Sequence, residues 1–405
     1  MTVRPETLKV YDSPHQFEPL LPQGALEPLV SATRTVIEKA QRLQGALSPS
    51  ARGRLCELVR KMNSYYSNRI EGESTHPVNI DRALRKDFST RPETAKLQRL
   101  ALAHVEAERE LEAMVVDEAS TLRGDFLLLA HKSLYGKLAP EDRLTAEGEV
   151  IEPGKLRGVD VSIQQHVAPT HTSLPRFLDR MSQVYGRLNG LDPLLYTIAS
   201  AHHRSVWTHP FRDGNGRAAR LQTHCALFPL SGGLWSVNRG LARERDAYYS
   251  MLKNADMPRH GDLDGRGNLS ERMLREWCQF FIEQCDDQVS FMNAMLDTKG
   301  LRERIQALVL FRSQLSTYPE YRTEAVLPLH HVLVAGPVSR GDFIQMTGLG
   351  ERTGRKLLSQ LLKDGLLVTE EDSHRGAVEI GFPLDTLNFL FPNLYPEAAT
   401  SVDGD

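Results

Sequence analysis

Cysteine is scarce in this sequence, and long apolar runs are absent. The cysteines are Cys56, Cys225, Cys278 and Cys285. They form no CxxC pair, which predicts reduced core thiols rather than disulfides or zinc ligands. No stretch approaches the roughly 20 consecutive apolar residues of a membrane-spanning helix. The amino terminus also lacks the charged and then apolar layout of a signal peptide. We therefore expect a cytoplasmic protein without a membrane contact.

An excess of basic charge is also missing. The chain has 49 lysines and arginines against 52 aspartates and glutamates, a formal net charge of −3. This balance excludes attraction to nucleic acid by overall charge, but it does not exclude binding through a local basic patch. A length of 405 residues is too great for one ordinary core, so we expect two or three domains.

Apolar residues recur at helical spacing through most of the chain, which predicts a mainly α fold. The predicted domains are an N-terminal helical region over 1–110, a catalytic core over 111–298, a linker helix over 299–324 and a C-terminal domain over 325–395. Residues 1–24 are expected to form an extended arm, and the tail after Tyr395 is expected to be disordered.

A short β-hairpin is predicted inside the helical core, between Arg143 and Pro169. A Pro-Gly turn precedes alternating Val159, Val161 and Ile163. Because an isolated hairpin is marginally stable, this one must lean on the rest of the protein. Its free edge could accept an extended peptide, and a hairpin that only covers the core is the alternative.

The C-terminal domain has the pattern of a helix-turn-helix followed by a wing. Two helical segments flank a tight turn, and two short β-like segments follow. Residues 325–385 carry six basic against eight acidic side chains, with Arg352, Arg355 and Lys356 as the only basic cluster. DNA binding is therefore one prediction for this domain, and a protein contact or dimerisation is the other.

The segment 209–220, HPFRDGNGRAAR, concentrates chemically active residues. Its glycines offer no side chains to bury and its arginines resist desolvation, so it is not a core segment. Gly214, Asn215 and Gly216 can direct successive backbone N–H groups to one point, and a helix predicted over 217–229 adds its positive end. The segment predicts an anion cradle that binds phosphate.

The side chains around this cradle predict phosphoryl or nucleotidyl transfer. Asp213 is a hard oxygen ligand suited to Mg²⁺ between two phosphates. Arg217 and Arg220, on one helical turn, can hold the outer phosphates. His209, with the ordinary pKa of a histidine, can accept a proton from an incoming hydroxyl.

Two alternatives concern the histidines. A core or capping role is the usual explanation of an isolated histidine such as His209, but the neighbouring motif argues against it. A zinc site could be built from His202, His203, His209 and His224. That site lacks a carboxylate at the spacing of a zinc protease.

A helix predicted over 51–70 ends in a second polar motif. Ser67 and Glu71 are four residues apart and share one face of the helix end, and Gly72 can terminate the helix in a left-handed conformation. From the residues alone, this motif is a capped helix end.

The segment 209–220 matches every position of the signature HxFx(D/E)GNGRxxR, so the chain resembles the Fic family from about residue 10 to about residue 300. The resemblance implies a Fic helical core with a β-hairpin flap, here followed by a winged helix. It also implies an enzyme that transfers AMP from ATP, with Mg²⁺, to a hydroxyl side chain of a target protein.

The resemblance also assigns roles to single residues. His209 would deprotonate the target hydroxyl, Phe211 would anchor the loop in the core and Asp213 would bind Mg²⁺. The nucleotide-binding residues implied are Gly214, Asn215 and Gly216 for the α- and β-phosphates, Arg217 for the β-phosphate, Arg220 for the γ-phosphate, and Tyr248 and Tyr249 for the adenine. The catalytic set implied is His209, Asp213, Asn215 and Arg217.

Partners follow from the same resemblance. The target protein would dock on the hairpin at 153–163 by β-augmentation. A homodimer is an expected assembly of Fic-like proteins. The predicted DNA contact rests instead on the helix-turn-helix pattern of the C-terminal domain.

Ser67, Glu71 and Gly72 resemble the inhibitory motif (S/T)xxxE(G/N), placed here N-terminal to the catalytic core. Glu71 paired with Arg220 would occupy the position of the γ-phosphate and repel the terminal charge of the nucleotide. The resemblance thus implies a self-inhibited adenylyltransferase. Alternatives are the removal of AMP, the transfer of another phosphate-containing group, and a winged-helix regulator whose Fic core senses nucleotide.

Overall fold

The fold is mainly helical, as predicted. A computed structural model describes residues 10–163, 166–369 and 376–395. The N-terminal helices are α1 (Glu27–Gln44), α2 (Pro49–Ile70), α3 (Pro77–Leu84) and α4 (Pro92–Glu112). The central helices are α5 (Glu118–Thr121), α6 (Gly124–Tyr135), α7 (Leu174–Tyr185), α8 (Leu194–Thr208), α9 (Asn215–Ser231), α10 (Asn238–Arg243), α11 (Arg245–Ala255) and α12 (Glu271–Met295). The C-terminal helices are α13 (Thr298–Ser313), α14 (Val326–Ala335), α15 (Arg340–Thr347), α16 (Glu351–Lys363) and α17 (Leu387–Leu390).

The described residues also form two small antiparallel sheets. Strand β1 (Ser162–Ile163) pairs with β2 (His166–Val167), and β3 (Leu367–Thr369) pairs with β4 (Val378–Ile380). None of the described helices combines the length and the apolar character needed to cross a bilayer. The predicted tail after Tyr395 and the first nine residues of the arm lie outside the described residues.

Helix α2 has clear start and stop signals. The Ser48 hydroxyl accepts a hydrogen bond from the Ala51 N–H at 3.3 Å and caps the first turn. At the other end Gly72 has a φ of +80°. The Gly72 N–H bonds the Arg69 carbonyl at 3.1 Å and the Glu73 N–H bonds the Asn68 carbonyl at 2.9 Å, which is a Schellman motif. The chain therefore reverses at Gly72.

One apolar cluster runs through the protein from Phe17 to Tyr395. It includes all three tryptophans of the chain, which are fully buried. The described part of the N-terminal arm contributes Phe17, whose ring meets that of Phe177 at a centroid distance of 4.9 Å. The predicted domains therefore share one core, and their boundaries stay a prediction.

The predicted hairpin is displaced along the chain. Its strands are β1 and β2, so the bounds 153–163 are wrong. The predicted turn at Pro153-Gly154 is present, with the Lys155 N–H donating to the Glu152 carbonyl at 3.2 Å, but it does not join these strands. Residues 153–157 instead bind the body of the protein. The Gly154 N–H donates to His131 Nδ1 at 2.9 Å, and the Arg157 N–H donates to the Pro210 carbonyl at 2.9 Å. These bonds replace strand pairing in that part of the segment.

The C-terminal region packs against helix α2. Ser48 donates to the Leu333 carbonyl at 3.4 Å, and the Tyr66 hydroxyl donates to the Leu394 carbonyl at 3.0 Å. Helices α14 to α16 precede the sheet of β3 and β4, and the winged-helix interpretation stays a prediction. Within the predicted basic cluster, Lys356 contacts Glu320 at 3.2 Å and Arg355 contacts its helical neighbour Glu351 at 2.5 Å.

Candidate active site

The cradle lies between the end of α8 and the start of α9. Helix α9 begins at Asn215, two residues before the predicted start, and Gly214 precedes it with a φ of +76°. A Cβ at Gly214 would overlap the ring of Tyr135, so glycine is required by conformation and by space. The Asn215 side chain accepts from the Phe211 N–H at 2.9 Å and donates to the Phe211 carbonyl at 3.0 Å. The loop is thus closed on itself.

Phe211 anchors this loop in the core, as the resemblance implies. Its buried ring stacks on His131 with centroids 3.8 Å apart and planes 14° apart. Because His131 Nδ1 accepts the Gly154 N–H, the ring proton is on Nε2, which lies 3.2 Å from the Asp213 carbonyl. His131 therefore holds the cradle in place through the Asp213 carbonyl and the Phe211 ring. Its only sequence signal is a histidine within the apolar pattern of α6.

His209 caps α8 in a left-handed conformation, with φ +45° and ψ +59°. Burial, with His166 and Arg157 nearby, lowers its pKa to about 4. The expectation of an ordinary pKa is therefore wrong, because desolvation disfavours the imidazolium. The neutral ring that results can accept a proton at physiological pH.

Arg157 holds the flap segment to the catalytic loop. Its Nε donates to the His209 carbonyl at 2.8 Å and its Nη1 donates to the Val159 carbonyl at 2.7 Å. Its guanidinium also reaches the carbonyl of Pro169. Sequence reasoning missed this residue, because nothing local shows that an arginine in a glycine-rich segment is buried.

Arg220 meets the end of helix α2. Its Nε donates to Ser67 Oγ at 3.0 Å, and its Nη2 donates to the Ser67 carbonyl at 3.1 Å and to Glu71 Oε1 at 2.5 Å. The Arg220 side chain is only 1% exposed. The predicted contact between Glu71 and Arg220 is therefore present, and Ser67 belongs to it.

The Glu71 carboxylate lies on the first turn of α9. A Cβ added to Gly216 would collide with Glu71 Oε1. Burial opposes ionisation of this carboxyl, but Arg220 and Arg217 outweigh it and hold its pKa below the ordinary value. An ionised carboxylate thus occupies the predicted anion cradle.

Arg217 binds a second carboxylate, that of Glu73, through Nη1. Its Nη2 also lies 3.7 Å from Asp213 Oδ1. The Schellman turn at Gly72 returns Glu73 toward α9, so two acidic residues of one helix end meet two arginines of one helix. Sequence reasoning missed Glu73, although a helix-terminating glycine was the available signal.

The Asp213 carboxylate is suited to bind a hard cation. Its side chain is 42% exposed, and its Oδ1 accepts the Gly214 N–H at 2.5 Å. Within the described residues, no hydrogen bond or ion pair engages its other oxygen, which is the atom available to a metal. The assignment of Mg²⁺ to this carboxylate stays a prediction.

Tyr248 and Tyr249 lie beside the end of helix α2. Tyr248 is 1% exposed and its hydroxyl is 2.9 Å from His202 Nε2, so it belongs to the core. Tyr249 is 40% exposed and donates to the Ile70 carbonyl at 3.2 Å, which also accepts from Arg245 at 2.7 Å. Their role at an adenine ring stays a prediction.

The four histidines of the alternative zinc site do not converge among the described residues. His202 Nδ1 contacts Thr223 at 2.7 Å, and His203 Nε2 contacts the Leu252 carbonyl at 3.0 Å. His224 contacts Glu112 instead. The structure therefore gives this alternative no support.

Known proteins resemble this chain in sequence and in fold. Residues 122–227 match the family model described as Fic/DOC family. The Protein adenylyltransferase Fic of Nematostella vectensis is 28% identical over 204 residues, 49% of this chain and 43% of that protein. The protein of the same name from Drosophila willistoni is 30% identical over 161 residues, 39% of this chain and 28% of that protein. The matches thus span less than half of these relatives.

A solved structure supports the fold. Fic-1 (aa134 - 508) from C. elegans matches with a TM-score of 0.50 and 19% identity, over 67% of this chain and 76% of that chain. At this identity the likeness concerns the helical fold with its small hairpin.

Proposed function

We propose that this chain, whose residues 122–227 form a Fic/DOC domain, is a protein adenylyltransferase that moves AMP from ATP to a hydroxyl side chain of a target protein. The observation that carries the proposal is the joint position of a neutral His209, the carboxylate of Asp213 and two buried arginines at the start of α9. The names of the relatives support the same reaction.

The proposed reaction follows from these positions. His209 accepts the proton of the target hydroxyl as that oxygen forms a bond to the α-phosphorus. The bond between the α-phosphorus and the bridging oxygen breaks, and pyrophosphate leaves with the electron pair. Arg217, Arg220 and the N–H groups of the first turn of α9, which have no partner within the helix, hold the outer phosphates. Mg²⁺ held by Asp213 would supply further neutralisation of phosphate charge.

Self-inhibition is the second part of the proposal. The carboxylate of Glu71 lies against Arg220 and that of Glu73 lies against Arg217, so both phosphate-binding cations are engaged by the same helix end. Outer phosphates would have to displace two anions from two buried guanidiniums. The guanidiniums are buried while the Glu71 and Glu73 side chains are 29% and 41% exposed, so nucleotide phosphates must compete with two carboxylates that already neutralise both cations.

The proposal also covers the docking of the target protein and the other partners of the chain. A target segment would add to the edge of the hairpin β1–β2 and thereby lie near His209, whose carbonyl binds Arg157 of the flap. The homodimer, DNA contact through 325–395 and cytoplasmic location stay predictions from the sequence.

A mass-spectrometric assay tests the transferase and its inhibition together. Each variant is incubated with Mg²⁺-ATP and a cell lysate, and adenylyl groups are located on the chain itself and on lysate proteins. Glu71→Gly should add AMP, wild type should add far less, and Glu71→Gly combined with His209→Ala should add none. If Glu71→Gly transfers no more than the double variant, the transferase proposal fails. If wild type equals Glu71→Gly, only the inhibition fails.

A further inference from the structure

A second cluster of ionisable groups is buried away from the cradle. His104, Glu108 and Glu112 are spaced four apart on α4 and share one face, and His224 of α9 meets them. Their exposures are 0%, 0%, 6% and 1%. His224 Nε2 lies 2.7 Å from Glu112 Oε1 and 3.4 Å from Glu108 Oε1, and His104 Nδ1 lies 3.8 Å from Glu108 Oε2.

Part of this cluster lacks hydrogen-bond partners. Among the described residues, neither ring nitrogen of His104 nor Oε2 of Glu108 has one, although both residues are fully buried. Buried polar groups are nearly always satisfied, because an unpaired group loses its hydration without compensation. His104 Nδ1 and Glu108 Oε2 can both ligate a metal, and they face each other across 3.8 Å, too far apart for a hydrogen bond, which is a signal for a ligand between them.

We propose that His104, Glu108, Glu112 and His224 bind a divalent transition-metal ion, with Zn²⁺ as the ion that fits best. The ligating atoms of Glu108, Glu112 and His224 all lie within 4.8 Å of one another. Two imidazoles and two carboxylates are a donor set for Zn²⁺ rather than for Mg²⁺ or Ca²⁺, which favour oxygen alone. Three of these ligands are already grouped, and His104, whose Nδ1 lies 3.8 Å from Glu108 Oε2, would complete a buried structural site.

Neighbouring side chains orient the proposed ligands. Asn63 Nδ2 donates to Glu108 Oε1 at 2.8 Å, and Arg60 Nε donates to Glu112 Oε2 at 2.8 Å, which leaves the other oxygen of Glu112 directed at His224. Both orienting residues belong to α2. The ion would therefore join α4 to α9, with α2 in the surrounding shell.

Metal retention by the full-length protein tests this proposal. The chain is treated with a chelator, supplied with Zn²⁺ without nucleotide or Mg²⁺, and freed of excess ion by gel filtration. Elemental mass spectrometry should find about one zinc per chain, the number that one four-ligand site holds. The unfolding temperature should rise on zinc addition, since the ion binds the folded chain alone.

Matched variants locate the ion. Glu108→Gln and His224→Asn should lose the retained zinc and the temperature rise. Glu110→Gln, on the same helix and paired with Lys137 outside the cluster, should keep both. Asp213→Asn should also keep both, which separates this site from the cradle. A wild-type chain that retains no zinc, or a folded Glu108→Gln chain that retains as much as wild type, overturns the proposal and leaves a proton-sharing ion-pair network.

Discussion

His209 ends helix α8 in a conformation that few residues other than glycine adopt, and it does so beside the cradle. A left-handed conformation costs a histidine on the order of 1 kcal/mol, and the packing of the surrounding helices maintains it. Such strain is commonly found where a side chain must be held in one direction. Under the proposed reaction, it holds the desolvated imidazole where it accepts the proton of the target hydroxyl.

The lowered pKa of His209 predicts an unusual pH profile. Because the pKa is about 4, the base is already deprotonated throughout the neutral range. The kcat/KM of Glu71→Gly should therefore stay flat from about pH 8 to about pH 5 and fall below that, since kcat/KM reports the free enzyme. The negative charge of Glu71 raises the His209 pKa, so the His209 pKa in Glu71→Gly should be no higher than in wild type. A decline centred near pH 6.5 would contradict the burial of this histidine.

Glu73 provides a separate prediction. Glu73→Gln removes the negative charge from Arg217 and should tighten ATP binding, by up to about fivefold because this carboxylate is 41% exposed and partly screened. Isothermal titration measures the Kd. Glu93→Gln, an exposed glutamate at the start of α4, is the control and should bind ATP as wild type does. An unchanged Kd in Glu73→Gln would confine inhibition to Glu71.

At the scale of elements, the loop between α8 and α9 was the most predictable part of the chain. Its conformation depends on local residue types, since Gly214 supplies a positive φ and Asn215 bonds its own loop. The signature therefore indicated the cradle from the sequence. The predicted start of α9 is two residues late, because Asn215 and Gly216 belong to the first turn of the helix rather than to the loop.

The hairpin and its supports were less predictable. The alternation of Val159, Val161 and Ile163 indicated extended chain, but the bonds of Arg157 and Gly154 to distant residues decide where strands form. Such contacts leave no local pattern. Glu71 belongs to a recognisable sequence motif and could be predicted. Glu73 and His131 reach the site through contacts between distant residues, which leave no local pattern, so only the structure identifies them.

The start of α9 gives a prediction about an element. Gly214→Ala introduces a left-handed alanine and an overlap with Tyr135, which should lower the free energy of unfolding by about 2 kcal/mol and abolish transfer. Denaturant unfolding measures the loss. Gly53→Ala is the matched control, since a Cβ there meets open space within α2 and should be neutral or stabilising. Equal stability of both variants would mean that the cradle tolerates a side chain.

At the scale of the whole molecule, the continuous apolar cluster predicts cooperative unfolding. Because one apolar cluster includes buried residues of the N-terminal helices, the core and the C-terminal region, these parts should unfold in a single thermal transition. Tryptophan fluorescence reports the core and circular dichroism reports all helices, so their midpoints should coincide. Hydrogen exchange of α14 to α16 is the check, because earlier exchange there would indicate an independent C-terminal domain.

The Schellman turn at Gly72 has a consequence for the sharpness of regulation. Glu71 and Glu73 leave the same helix end and reach Arg220 and Arg217 within one turn of α9. Under the proposed inhibition, unwinding of the last turn of α2 withdraws both carboxylates in one motion. The enzyme would then behave as a two-position switch with no half-released state, and a partner that loosens that single turn would release both arginines at once.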